Sequence, residues 1–291
     1  QQKPYNVIHF HTISCAPLFC IAKQFGASVV YGHHNLISQR HTKEDIQSLV
    51  AELKWVDKVV CVSKIAAEDF INATNIPSSK VVTIYNPSFL TEEDDRSFSG
   101  ERYREKGHLV AGTASNLEGP KGIDVLLQAW QKLCEDGIDA RLMIAGGREP
   151  YLSYWRKQSV EMGLSECVFF LGQIEDKSKM FDFYRSIDLL IIPSRSEAFP
   201  LQAVEAMSRS LALLASDIPV LREVLGDSGC FFQVEDAQDL AEKVKVFVQS
   251  PEIIVDLGKA ARSRWKSQYH PAIIIDQYEN LYRTLAQNRE K

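Results

Sequence analysis

Short apolar, β-branched runs alternate along this chain with longer segments in which apolar residues recur at helical spacing. The short runs are Val7–Phe10, Ser28–Tyr31, Lys58–Val62, Val81–Ile84, Leu109–Gly112, Arg141–Ala145, Val168–Leu171, Leu189–Ile192, Leu211–Ala215 and Cys230–Gln233. Their nearly continuous apolar character predicts strands buried on both faces. Between them, sets such as Val125, Leu126, Ala129, Trp130 and Leu133 are spaced to share one face of a helix. Strands alternating with helices predict βαβ units, hence an α/β fold of doubly wound parallel sheets.

One segment breaks the rhythm. Residues 91–107 hold Glu92, Glu93, Asp94, Asp95, Arg96, Glu101, Arg102, Arg104, Glu105 and Lys106 with almost nothing apolar, which predicts a solvated linker. A metal-binding acidic element is the alternative reading of that run. The predicted domains are therefore 1–100, a partial N-terminal Rossmann-like domain with its linker, 101–269, a complete doubly wound domain, and 270–291, a C-terminal helix. The first domain has only four predicted strands, opens in mid-rhythm and lacks an initial Met, so it reads as the back half of a larger one. No internal repeat or low-complexity segment is present.

Composition narrows the classes. Of 291 residues, 45% are apolar, enough for a sizeable core, and Lys+Arg 33 against Asp+Glu 38 leaves a net charge of -5. That balance provides no general positive field for nucleic acid. No apolar run approaches the roughly 20 residues of a membrane span, so membrane contact is expected to be peripheral, at the cytoplasmic face. The six cysteines form no CxxC pair and several lie in strand-like runs, which predicts a reduced, cytoplasmic setting.

Chemistry concentrates after the strand Leu189–Ile192. Glu197 falls in the loop beyond the carboxyl end of that strand, where open α/β sheets bind ligands. Pro200 suits the first position of a helix, Glu205 lies about one turn further, and the N–H groups near Phe199, Pro200 and Leu201 form a helix start suited to phosphate. Carboxylates suit sugar hydroxyls and N–H donors suit a diphosphate, so a nucleotide sugar would satisfy both. Spacing alone leaves open that Glu197 is a loop charge and Glu205 a solvated helix residue.

The stretch Ser194–Met207 resembles the Glu-x7-Glu signature of the retaining glycosyltransferases of family 4, which have the two-domain GT-B fold. Val7–His11 resembles that family's strand ending in His-x-His, Val59–Ser63 and Lys80–Asn86 its next strands, and Lys121–Leu126 its KGxDxL element. Arg141–Gly146, Phe169–Gly172 and Glu223 with Gly226 and Gly229 follow in the family's order. The resemblance spans nearly the whole chain and implies that 101–269 is the nucleotide-sugar donor domain and that the helix of 270–291 packs back on the N-terminal domain. It implies that Lys121 and backbone N–H groups around Phe199–Leu201 hold the donor diphosphate, that Glu197 and His11 contact the donor sugar, and that Glu205 contacts the ribose. It implies further that Gly112 and Gly146 let backbone approach the nucleotide. The implied reaction moves a hexose from a nucleotide sugar to a polysaccharide or glycolipid with retention, needing no cofactor and no obligatory metal.

Several positions depart from the family. Its Arg before the Lys is replaced in Ser115-Asn116-Leu117, so Asn116 supplies a hydrogen bond but no charge; Asn86 is followed by Pro87, and Ala198 stands where the family has Gly. These departures motivate two rivals, a degenerate nucleotide-binding scaffold and a nucleotide-sugar 2-epimerase. His9, His11, His33 and His34 raise a zinc site, against which no third ligand has metal-like spacing, and His33 and His34 are expected in a loop. Trp130, Trp155, Trp265 and Tyr278 are expected in the core, and Ser63 at a helix N-cap. Arg262, Arg264 and Lys266 are expected on a polar helix face or against anionic lipid.

Overall fold

A computed structural model describes residues 5–88 and 107–287. The charged run predicted as a linker, or alternatively as a metal-binding element, lies almost wholly outside the described residues. The chain divides into two compact units, one of Gln1–Pro87, Glu197–Phe199 and Gln268–Lys291, the other of Ser88–Ser196 and Pro200–Ser267.

The first unit carries a four-stranded parallel sheet in the order β1 (Val7–Phe10), β2 (Ser28–His33), β3 (Lys58–Cys61), β4 (Val81–Thr83). Its helices are α1 (Phe19–Gln24), α2 (Ile37–Arg40), α3 (Lys43–Glu52) and α4 (Lys64–Thr74). Thr42 and Asp45 form a reciprocal capping box at the start of α3. Ser63 caps α4 by accepting the Ala66 N–H at 3.0 Å. Asn75 ends that helix in the left-handed conformation.

The second unit holds β5 (Leu109–Ser115), β6 (Ala140–Gly146), β7 (Val168–Gly172), β8 (Leu189–Ile192), β9 (Ala212–Ser216) and β10 (Cys230–Phe232). All pair in parallel, in the order β10-β9-β8-β5-β6-β7. Its helices are α5 (Ile123–Glu135), α6 (Tyr151–Glu161), α7 (Lys177–Ser186), α8 (Leu201–Ser208), α9 (Pro219–Leu225), α10 (Ala237–Gln249) and α11 (Pro251–Gln268). The chain winds from β5 outward through β6 and β7, then returns to the other side of β5 to lay down β8, β9 and β10. Neighbouring loops therefore leave the carboxyl ends of β5 and β8 in opposite directions. Doubly wound sheets hold ligands beyond the carboxyl ends of the strands at such a reversal.

The apolar stripes are buried as their periodicity requires. Val125, Leu126, Ala129, Trp130 and Leu133 of α5 pack in one core with Leu109, Leu142, Ile144, Leu189 and Leu214. Trp130 is fully buried and donates its indole N–H to the Ala140 carbonyl at 3.1 Å. Trp265 is buried as well. In the first unit, α12 (Pro271–Gln287) sets Ile274 and Leu285 against Val30, Val60 and Ile84.

Two expectations change. His33 is the last residue of β2, not a loop residue, and is buried against Phe70, with ring centroids 4.9 Å apart. The sheet extends there because Gly32 and His33 pair with Val60 and Cys61. Arg262 and Arg264 do not form a surface cluster for lipid. Arg262 donates to the Ser208 carbonyl and covers the Trp265 ring at 4.5 Å. Arg264 donates to the Val224 and Glu223 carbonyls at 2.7 and 2.8 Å, closing the end of α9. All six cysteines are free, and the fold brings the Cys134 and Cys167 sulfurs within 3.0 Å.

Replacing Trp130 by Ala removes a buried ring and leaves the Ala140 carbonyl without its donor. Thermal or urea unfolding is expected to show a loss of about 3–5 kcal/mol, with Trp130→Phe losing clearly less.

Candidate active site

In the second unit the loop after β5 runs through Asn116 to a tight turn at Gly119–Lys121 and enters α5 at Ile123. The turn works because Gly122, at φ 68°, accepts a left-handed conformation costly for other residues. A Cβ at Gly122 would sit 2.0 Å from the Pro193 carbonyl oxygen, so the backbone after Lys121 is pressed directly against the loop leaving β8. The Arg195 N–H donates to the Pro120 carbonyl at 2.8 Å. The Ala114 N–H, at the end of β5, donates to Gln202 Oε1 on α8 at 3.2 Å. Lys121 is thereby carried on a backbone tied to the β8 loop on one side and to β5 on the other.

Helix α8 starts at Leu201. Pro200 is the flanking cap rather than the first helical residue, because its ψ of 88° is not helical. No side chain caps this helix start. Its first N–H groups and the positive end of the helix dipole thus mark the carboxyl side of β8 as suited to an anion. Gln202, Ala203 and Val204 are buried while Leu201 is 48% exposed, which orients the first turn.

Glu205 is not a solvated helix residue. Tyr184, fully buried near the end of α7, donates its hydroxyl to Glu205 Oε2 at 2.6 Å. Burial raises the Glu205 carboxyl above the usual glutamate range, with the Tyr184 bond opposing. Tyr184 was invisible as a site residue in the sequence; a Tyr on a buried helix face needs a polar partner, but the pairing with Glu205 exists only once α7 and α8 are placed.

Residues 197–199 belong to the first unit. There the Ala198 carbonyl accepts the Ser63 hydroxyl at 2.7 Å, and the Phe199 ring stacks on Tyr85 with centroids 5.8 Å apart. His11 is exposed, and its Nδ1 lies 3.1 Å from His34 Nε2. His9 Nδ1 is 2.8 Å from the Tyr282 hydroxyl. A Cβ on Gly32 would meet His9, His11 and His34 at 2.8, 3.0 and 3.3 Å, so glycine is what admits these rings. Burial, with His11 and His34 alongside, pushes the His9 ring down to about 4. Among the described residues, no group of three or more His, Cys, Asp or Glu could hold a metal ion.

The glycines expected near nucleotide have other neighbours. A Cβ at Gly112 would meet Ile187 and Phe183 at 2.8–2.9 Å, so this glycine lets α7 close onto the sheet. At Gly146, with φ 97°, it would lie 2.0 Å from the Ser115 carbonyl, so the close approach is between β5 and β6. Asn116 is exposed and its Oδ1 accepts the Glu118 N–H at 3.4 Å.

A six-stranded parallel sheet wound both ways from its first strand, with an uncapped helix start after β8, defines a Rossmann-like unit. Together with a second parallel-sheet unit, it gives the architecture of the GT-B transferases. Residues 95–264 match the family profile of the glycosyl transferases group 1, and residues 1–88 match that of Glycosyltransferase Family 4. The chain belongs to this glycosyltransferase family. It is 24% identical to the O-antigen biosynthesis glycosyltransferase WclY of Escherichia coli, across 97% of this chain and 80% of that protein. It is 30% identical to the phosphatidyl-myo-inositol mannosyltransferase of Mycobacterium leprae, across 99% of this chain and 75% of that one. The Anabaena protein Alr3699/HepE, solved in complex with UDP, shares the fold with a TM-score of 0.81 and 18% identity, across 95% of this chain and 78% of that chain. No helix among the described residues is long and apolar enough to cross a membrane.

A carboxyl raised by burial adds stability that is complete below its ordinary value of 4.5 and is lost as pH rises through the higher folded value. Glu205→Gln retains an acceptor for Tyr184 without a buried charge. Denaturation at a series of pH values is expected to show the variant more stable than wild type at neutral pH, with the difference vanishing below about 4.5.

Proposed function

We propose that the protein transfers a hexose from a nucleotide-diphosphate sugar to a glycan or glycolipid acceptor, with retention at the anomeric carbon and without an obligatory divalent metal. The observation that carries this reading is the placement of the Lys121 turn and the uncapped start of α8 at the two strand ends where the second unit reverses its winding. An ammonium and a helix dipole fixed near such a reversal stabilise the charge that develops on a departing diphosphate, the task a divalent metal performs elsewhere. Glu205, steadied by Tyr184, is suited to accept a ribose hydroxyl. Glu197 and His11 are the groups proposed for the donor sugar, on the strength of the family resemblance. Attack then comes on the face from which the diphosphate leaves, with the acceptor's proton passing to the leaving phosphate oxygen. The O-antigen and phosphatidyl-inositol relatives support a glycan or glycolipid acceptor, and the UDP complex of the Anabaena protein supports a nucleotide donor.

Titration with UDP, GDP and ADP should raise the melting temperature with at least one of them; no shift with any would overturn the reading. Lys121→Ala is expected to weaken that binding by roughly ten- to a hundredfold, the weight of a charge-assisted contact. Glu197→Gln should abolish transfer while nucleotide affinity stays within about twofold of wild type, the pattern of a group acting at the sugar. Product anomers resolved by NMR test retention, and turnover in excess EDTA tests the metal independence.

A further inference from the structure

We propose that Arg195 is a positioning residue for the donor site: its guanidinium and main chain fasten the turn that carries Lys121 to the loop leaving β8, and so set where the Lys121 ammonium stands. The inference rests on the donor-site reading above. One residue supplies the hydrogen bonds of this fastening that follow. The Arg195 main-chain N–H donates to the Pro120 carbonyl, and its Nη1 donates to the Gly119 carbonyl at 2.8 Å. The guanidinium fork grips both oxygens of Asp124, at 3.0 Å from Nη1 and 2.6 Å from Nη2, while Nε donates to Glu235 at 2.6 Å. Gly119, Pro120 and Asp124 bracket Lys121 on either side.

An exposed ion pair contributes little by itself. Arg195 differs in geometry. Its side chain is 28% exposed, its contact to Asp124 is bidentate, and two of its bonds end on main-chain carbonyls of the same turn. The turn itself is under constraint from Gly122, whose backbone abuts the Pro193 carbonyl. Glu235, the third partner, holds a left-handed backbone at φ 64°, uncommon for a residue with a side chain. With two carboxylates around it, the guanidinium charge is already matched. Arg195 therefore orients rather than binds the diphosphate, and Lys cannot replace it, because an ammonium lacks the planar fork.

The test is a double-mutant cycle on nucleotide affinity, using whichever of UDP, GDP and ADP binds wild type most tightly. Arg195→Ala is expected to weaken binding roughly ten- to a hundredfold, the scale of a misplaced binding group. KM for the sugar nucleotide should rise far more than kcat falls. Arg195→Lys should recover little of the loss, and its melting temperature, read alongside, shows whether the variant is folded. In a Lys121→Ala background, Arg195→Ala should cost less than about twofold more, because its effect passes through the ammonium. Asp124→Asn should reproduce the Arg195→Ala affinity in part. Wild-type affinity in Arg195→Ala, or a full additional loss in the Lys121→Ala background, would overturn the inference while leaving the donor-site reading intact. Absence of nucleotide binding by wild type would sink both.

Discussion

The second unit of this protein turns on the contact between Gly122 and the carbonyl of Pro193. With a hypothetical Cβ only 2.0 Å from that oxygen, no side chain fits, so the turn after β5 lies flat against the loop after β8. The two strands are hydrogen-bonded neighbours through Ala111 and Gly112 with Leu189 and Leu190, although nearly eighty residues separate these partners in the chain. Close strand ends bring close loops, and a missing side chain lets the loops touch. Lys121 is held in its position by this contact.

A second layer of constraint comes from polar groups that burial forces into pairs. The Ser216 hydroxyl donates to the Ser194 carbonyl, Gln202 takes the Ala114 N–H, and Tyr184 meets Glu205. Each pair bridges two elements of the second unit. A buried polar group without a partner costs more than the bond returns, so these contacts favour one arrangement of these elements over near alternatives. The same logic keeps Arg264 on the carbonyls that end α9 and Arg262 on that of Ser208.

The strands, their parallel pairing and the cap at Ser63 were legible in the residues. Val59, Val60 and Cys61, or Leu189 to Ile192, are apolar without alternation and short, which only a doubly covered strand accommodates. Ser63 before Lys64 announced its cap. Less legible were the roles of single glycines. Gly112 and Gly146 look alike to a reader seeking room for nucleotide, yet one admits Phe183 and Ile187 and the other the Ser115 carbonyl. A missing Cβ signals a close approach but not what approaches.

Charged and ring residues show the same divide more sharply. Arg195 reads as one more loop cation until Asp124 and Glu235, 71 and 40 positions away, close around it. Cys134 and Cys167 look scattered, and lie 3.0 Å apart. Local pattern by itself determined which segments are strands and helices and which family they spell out, because periodicity and turn chemistry act over a few residues. Which distant side chains meet was decided only by the tertiary structure. Partner choice for Arg195, Glu205 and His11 depends on the order in which the sheets are wound and on how tightly backbones can approach, quantities no local window of sequence contains.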